Sequence, residues 1–389
     1  MIDISHNIEL QISLLLFISL VGHLVAQRIG QSIVVGEILV GILVGPSLLG
    51  WITYTDFIAS TATMGAIFLL FAVGLQTKIK DISNFTSLLV ALVGVIIPWI
   101  GGYFLAVAFG YNTVSAIYVG TALTATSVAI TAHVLKEMGK LDTSASKIII
   151  GAAVVDDVLG LLALSITTEF AIHEITALSI LKIAVIALIF LFFGVYLGMN
   201  YFARKLEDLY DWSQKNNMPM MTFIGAVTIA FFYSVIAEIA GLSGIVGAFI
   251  AGVSLENSNI KCYRVGASYL EAVFASIFFV SLGILVDLHA ASGAVVFVLA
   301  LTVVAILTKL IGGYLPSRIM GVGHTDSVII GLGIVPRGEI AMIAALIGLN
   351  AGVIGQEIYS SILIMSLLTT IFAPIFITRI YERRTHSDV

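Results

Sequence analysis

Stretches of about 20 predominantly apolar residues recur along the whole chain, and that recurrence decides which solvent the fold must meet. A helix of that length spans the hydrocarbon core of a bilayer, which is about 30 Å thick. No water is present there to satisfy backbone N–H and C=O groups, so each spanning segment must satisfy them internally, as a helix does. Only 11% of the residues are charged, against about 25% in soluble domains. The chain reads as an all-α polytopic membrane protein, a single integral unit over residues 1–389.

About thirteen transmembrane helices are expected. They lie near 8–26, 33–50, 57–76, 85–109, 114–136, 145–169, 175–203, 219–240, 242–256, 267–287, 291–315, 326–349 and 355–379. The eighth and ninth are divided only at Gly241 and its neighbours. With this count, all of the 18 Lys and Arg except Lys182, Lys309 and Arg337 fall on one face, which the positive-inside rule makes cytoplasmic. The opposite loops hold Asp56, Glu169, Glu174 and Asp287 and no basic residue. The N-terminus is then outside and the C-terminus in the cytoplasm. MIDISHNIEL lacks a basic n-region, so the first run reads as a retained span in a cell-membrane protein rather than a cleaved signal. Scattered basic residues argue against nucleic-acid binding, and a single cysteine, Cys262, excludes an intrachain disulfide.

An internal repeat runs through the apolar pattern. VVGEILVGI at 34–42 matches IVGAFIAGV at 245–253, and AIFLLFAVG at 66–74 matches SIFFVSLGI at 276–284. Both offsets are about 210 residues, or about seven spans, so the second copy is inserted upside down. Inverted repeats are a transporter architecture in which interrupted helices at matching places flank a midplane site. Two interruptions match here. TALTATSVAIT at 121–131 concentrates hydroxyls that can bond to backbone carbonyls and sustain irregular chain at membrane depth. GIVPRGEIAMI at 333–343 contains Pro336, which lacks a helical donor, between Gly333 and Gly338.

Charges embedded in such a scaffold carry chemistry more often than structure. Asp156 and Asp157, in GAAVVDDVLGLLALS, sit halfway along the sixth span. Neighbouring helical residues point about 100° apart, so one carboxylate can face a cation pathway while the other meets a fixed partner. Lys309 is the candidate partner, unless it snorkels to the cytoplasmic interface. Arg337 and Glu339, two apart in the broken twelfth span, are placed to neutralise each other or the exposed helix ends. Glu37 is either a polar packing contact or part of an access path. A carboxylate is a hard oxygen ligand for Na+ and also a proton acceptor, so the two ions compete for the same atoms. A site that crosses only when one of them is bound performs exchange.

These motifs resemble the monovalent cation:proton antiporter-2 family, and within it Na+/H+ antiporters of the NapA type. The match rests on GEILVGILVGPSLLG, ALTATSVA, VVDDVLGLL, the embedded Lys309 and PRGEIAMI, and covers essentially the whole chain. The resemblance implies an NhaA/NapA-like fold with two broken crossing helices. It implies that Asp157 is the main ion- and proton-binding carboxylate, with Na+ (or Li+) held at Asp157 and Asp156, and that Asp156 salt-bridges to Lys309. Thr126 and Ser127 would lie at the crossing, with Arg337 and Glu339 supporting the other half. It further implies an electrogenic homodimer embedded in lipid. A core ion-transport part, approximately 85–169 and 291–379, would move against a dimerisation part, approximately 8–76 and 175–287. No cofactor is expected. Kef-type potassium efflux members carry Gln-Asp in place of Asp-Asp and a soluble nucleotide-binding domain after the last span; here only IYERRTHSDV follows, which argues against nucleotide gating.

Other readings are K+/H+ exchange, sodium-coupled uptake of an organic solute and a passive channel. An intramembrane aspartyl hydrolase needs two carboxylates facing each other from separate elements, which adjacency on one helix opposes. The expectation is therefore a secondary antiporter, not an enzyme. His133 and His324 lie near the cytoplasmic ends of the broken spans, but loop histidines are commonly incidental, and the sequence assigns no pH sensor.

Overall fold

The computed structural model describes residues 7–77, 85–127, 142–170, 192–218, 220–240, 244–256 and 261–387, with positions 131, 135, 138–140, 185, 186, 189, 190 and 242 between them. Among these residues every regular element is helical. The helices are α1 (Ile8–Ile29), α2 (Ile33–Val44), α3 (Asp56–Gln76), α4 (Phe85–Ala108), α5 (Thr113–Thr124), α6 (Ser144–Phe170), α7 (Ala203–Lys215), α8 (Met220–Ile239), α9 (Gly244–Leu255), α10 (Lys261–Ile284), α11 (Leu288–Gly293), α12 (Val295–Ile319), α13 (His324–Gly333), α14 (Glu339–Asn350) and α15 (Gln356–Ser387). Eight described helices are long and apolar enough to cross a membrane, and shorter apolar helices complete the set.

Their starts follow from the residues that precede them. Asn7, Ser32, Thr55 and Asn112 each accept a first-turn backbone N–H through a side-chain oxygen, relieving donors that a helix start leaves unpaired. The second span is shorter than expected: helix ends at Val44 rather than near residue 50. Pro46 restricts Gly45 to extended backbone, which Gly45 adopts with ψ 176. The eighth and ninth spans separate as α8 and α9. The first part of the expected seventh span, 175–184, lies outside the described residues.

The chain divides into two compact units, Met1–Ile79 with Thr168–Leu285, and Lys80–Thr167 with Val286–Val389. In the first, α2 packs on α10 and α3 on α9 through glycines. A methyl added to Gly41 would lie 3.0 Å from the Gly283 Cα, and one on Gly252 2.9 Å from the Gly74 carbonyl carbon. In the second unit, α4 packs on α5 and α12 on α13, again backbone to backbone. A methyl on Gly102 would lie 3.0 Å from the Gly120 Cα, and one on Gly313 2.7 Å from the Gly331 Cα.

The two halves of the chain are related by a fixed step. Adding 211 to Ile33–Val44 gives Gly244–Leu255, and adding 211 to Gly102 and Gly120 gives Gly313 and Gly331. The same step carries the Trp99 carbonyl that crowds Gly120 onto the Leu310 carbonyl that crowds Gly331. The repeat is thus a repeat of contacts as well as of composition.

Candidate functional site

The second unit gathers most of the embedded polar groups. Asp156 and Asp157 lie mid-way along α6, Asp156 buried and Asp157 half-buried. Lys309, on α12, is wholly buried and does not reach for an interface. Its Nζ donates to both Asp156 oxygens, at 3.1 and 3.3 Å. Asp157 is within electrostatic reach of the same ammonium. Taking two charges out of water offsets much of their mutual attraction, so a buried pair is poor evidence for a stabilising role.

The two broken helices meet each other. α5 ends at Thr124, and Ala125 is extended at φ −64 and ψ 143. α13 ends at Gly333, and α14 begins at Glu339 after an irregular segment. Ser127 donates its N–H to the Pro336 carbonyl at 2.8 Å. The Thr126 hydroxyl donates to the Ile334 carbonyl at 3.4 Å, and Thr131 to that of Gly333 at 2.8 Å. Each break therefore supplies partners for the other, which is how non-helical backbone survives away from water. Gly338 permits the approach: a methyl there would lie 2.9 Å from the Ser127 Cβ.

Arg337 stitches three elements together. Nη1 donates to the Ala125 carbonyl at 3.1 Å and Nη2 to the Ala305 carbonyl at 2.8 Å. Ala125 caps the C-terminus of α5, where carbonyls project and a cation is favoured. Ala305 lies one turn before Lys309 on α12, so the guanidinium and the ammonium flank one stretch of helix. Both are buried, beside Asp156 and the half-buried Asp157. A chain of hydroxyls supports α5 from the other side: the Trp99 indole donates to Thr121 at 3.3 Å, and Thr121 and Thr167 hydroxyls lie 2.6 Å apart.

Glu37 belongs to the first unit, where its Oε1 accepts from the Ser19 hydroxyl at 2.9 Å and lies 3.3 Å from His23 Nδ1. It is a satisfied buried carboxylate. The Glu339 side chain and His133 lie outside the described residues, while His324 begins α13 with its ring edge-on to Tyr314. Among the described residues no three His, Cys, Asp or Glu come together as metal ligands. A cation at the aspartates would draw on one or two carboxylates with hydroxyl and carbonyl oxygens, a donor set for a hard, weakly held ion.

The profile of the family described as "sodium/hydrogen exchanger, transmembrane" matches residues 13–383. The chain belongs to the sodium/hydrogen exchanger family. It is 33% identical over 368 residues to the Na(+)/H(+)-K(+) antiporter GerN of Bacillus cereus, covering 94% of each chain. It is also 33% identical over 379 residues to a Na(+)/H(+) antiporter of Enterococcus hirae, covering 96% of this chain and 98% of that one. Its fold is similar to that of the sodium proton antiporter MjNhaP1 from Methanocaldococcus jannaschii, with a TM-score of 0.68 at 16% identity over 94% of each chain.

In this exchanger-family chain, sequence reasoning identified the charged groups and both breaks but missed their backbone acceptors. The carbonyls of Ala125, Ala305, Gly333 and Ile334 take side-chain donors. Every residue carries a carbonyl, so residue identity alone gives no signal for which will be used. The repeat offers one, because it shows which positions face each other.

Proposed function

We propose that the chain exchanges Na+ (or Li+) for H+ across the cell membrane by alternating access, with Asp157 as the carboxylate that binds cation and proton in turn. Membership of the exchanger family and relatives named Na+/H+ antiporters support the reaction. One observation supports the site: a fully buried ion pair, Lys309 with Asp156, beside a less buried Asp157 and two helix breaks that bond to each other.

The chemistry follows from competition for oxygen. Protonated or ion-bound, Asp157 carries little net charge and the site can cross an apolar barrier; ionised and empty, it is held back by its own desolvation. Na+ arriving at the aspartates competes with the Lys309 ammonium for Asp156. Release of the cation restores that pair. Two titrating carboxylates and a lysine can move more than one proton for each sodium, which makes the cycle electrogenic. The unit Lys80–Thr167 with Val286–Val389 would carry the site, and the other unit would hold the homodimer in the lipid. The N-terminus faces out and the C-terminus the cytoplasm.

In proteoliposomes, sodium or lithium added outside should collapse a preformed ΔpH, and potassium should do so less. No response to any of the three between pH 6 and about 9 would end this reading. Asp157→Asn should abolish the response while the protein still purifies as a folded species; wild-type turnover would remove Asp157 from the mechanism.

A further inference from the structure

The repeat step places Pro98 of α4 at the position equivalent to Lys309 of α12, and Gly94 at the position equivalent to Ala305. In an α-helix the carbonyl of residue i accepts from the N–H of residue i+4. Ala305 is therefore the helical acceptor of Lys309, and Gly94 would be that of residue 98. Proline has no N–H, so the Gly94 carbonyl lacks this donor. A buried carbonyl without its donor is an acceptor in want of a partner.

A buried donor beside Gly94 is Lys309. α4 and α12 run antiparallel, with Gly94 against Gly312 and Gly101 against Thr308. A methyl on Gly312 would lie 2.9 Å from the Gly94 Cα, and one on Gly101 2.7 Å from the Thr308 side chain. Position 309 thus falls level with Pro98, toward which the Gly94 carbonyl points. The Cβ that Gly94 lacks would lie 4.0 Å from the Lys309 Nζ. The bonds that Lys309 makes to described residues all go to Asp156, and an ammonium has three hydrogens to give.

The other half of the repeat already uses the equivalent carbonyl in this way. Arg337 donates to Ala305 at 2.8 Å. The residue equivalent to Arg337 is Thr126, whose short side chain donates to Ile334 instead. The geometry points to Pro98 and Gly94 as a second berth for the lysine: Pro98 frees the Gly94 carbonyl to receive the Lys309 ammonium when a cation takes Asp156. Lys309 then remains hydrogen-bonded in both states, and displacing it does not leave its N–H donors unpaired. Pro98 is a positioning residue in this scheme, which rests on the exchange reading above.

The test is a sodium titration of purified protein, read as thermal stabilisation, paired with the KM for sodium in proteoliposomes. Pro98→Ala and Pro98→Ser both restore the backbone N–H, which recaptures the Gly94 carbonyl. Each is expected to weaken apparent sodium affinity by about tenfold, the scale of one hydrogen bond to a charged group, without lowering thermal stability in the absence of sodium. In a Lys309→Gln background the same substitutions should change affinity by less than about twofold, because the effect travels through the ammonium. An equal shift in both backgrounds, no shift in either, or a shift that follows side-chain size rather than the restored donor overturns the berth while leaving the exchange site intact. If Lys309→Gln alone matches the wild type in both affinity and pH profile, the ammonium takes no part in the cycle and the berth fails, whereas a wild type in which sodium leaves ΔpH unchanged ends the exchange reading and the berth with it.

Discussion

Removing either member of the Lys309–Asp156 pair leaves the other charge buried without its partner. Asp156→Asn should destabilise the protein by about 3–5 kcal/mol, because an uncompensated ammonium in an apolar interior is the expensive half of a broken pair. Lys309→Gln in the same chain should recover most of that loss, since the double variant buries neutral amides. Thermal unfolding of the two single variants and the double variant measures this. Additive losses would show that the pair is not coupled as its 3.1 Å geometry requires. At this scale the sequence was informative where a residue type is intrinsically rare: adjacent aspartates and a lysine inside apolar runs announce themselves. It was silent on geometry. Snorkelling and pairing were both open for Lys309 until its depth was known, and the partners of Arg337 are backbone atoms that any residue could have supplied.

Helix interruptions belong to the next scale, because each is stable only through the other. Ser127 and Gly338 approach so closely that a methyl at position 338 would press on the Ser127 Cβ. Gly338→Ala should therefore push the breaks apart, costing about 1–3 kcal/mol in stability. It should also slow exchange more than it alters sodium affinity at the aspartates. Melting temperature and the KM-against-kcat split read the two effects, and an unaltered rate would show that the crossing does not limit the cycle. The Pro-Gly break in the second half was plain from composition, and the hydroxyl-rich break in the first half from its density of threonines. That the hydroxyls would serve the opposite break was not legible, since local bonding to the preceding turn is what a helical threonine ordinarily does. The early end of α2 was written in the Gly45–Pro46 pair and overlooked because hydropathy continues past it.

At the scale of the molecule, the repeat organises everything else. Its period appeared in the sequence as two short matches about 210 residues apart, too weak to exclude chance. Contacts sharpen it, because the step that relates Gly102 and Gly120 to Gly313 and Gly331 also relates the carbonyls that crowd them. The division into two compact units could not be read from hydropathy, which has the same period in every span. The proposed orientation predicts that an epitope at the C-terminus is unreachable in right-side-out vesicles and reachable in inverted ones, while one at the N-terminus behaves oppositely. The same exposure for both termini would require an even number of crossings and overturn this orientation.

The halves share a frame but not its furnishing: Lys309 stands where the first half has Pro98, and Arg337 where it has Thr126. In a perfectly two-fold frame, exchanging the conformations of the halves would turn an inward-open molecule into an outward-open one of identical free energy, and a resting population would divide equally. Each unmatched residue lifts that degeneracy. In the proposed cycle the resting bias of the molecule toward one side of the membrane would be set at positions where the repeat fails to repeat, and could be adjusted there without touching Asp156 or Asp157.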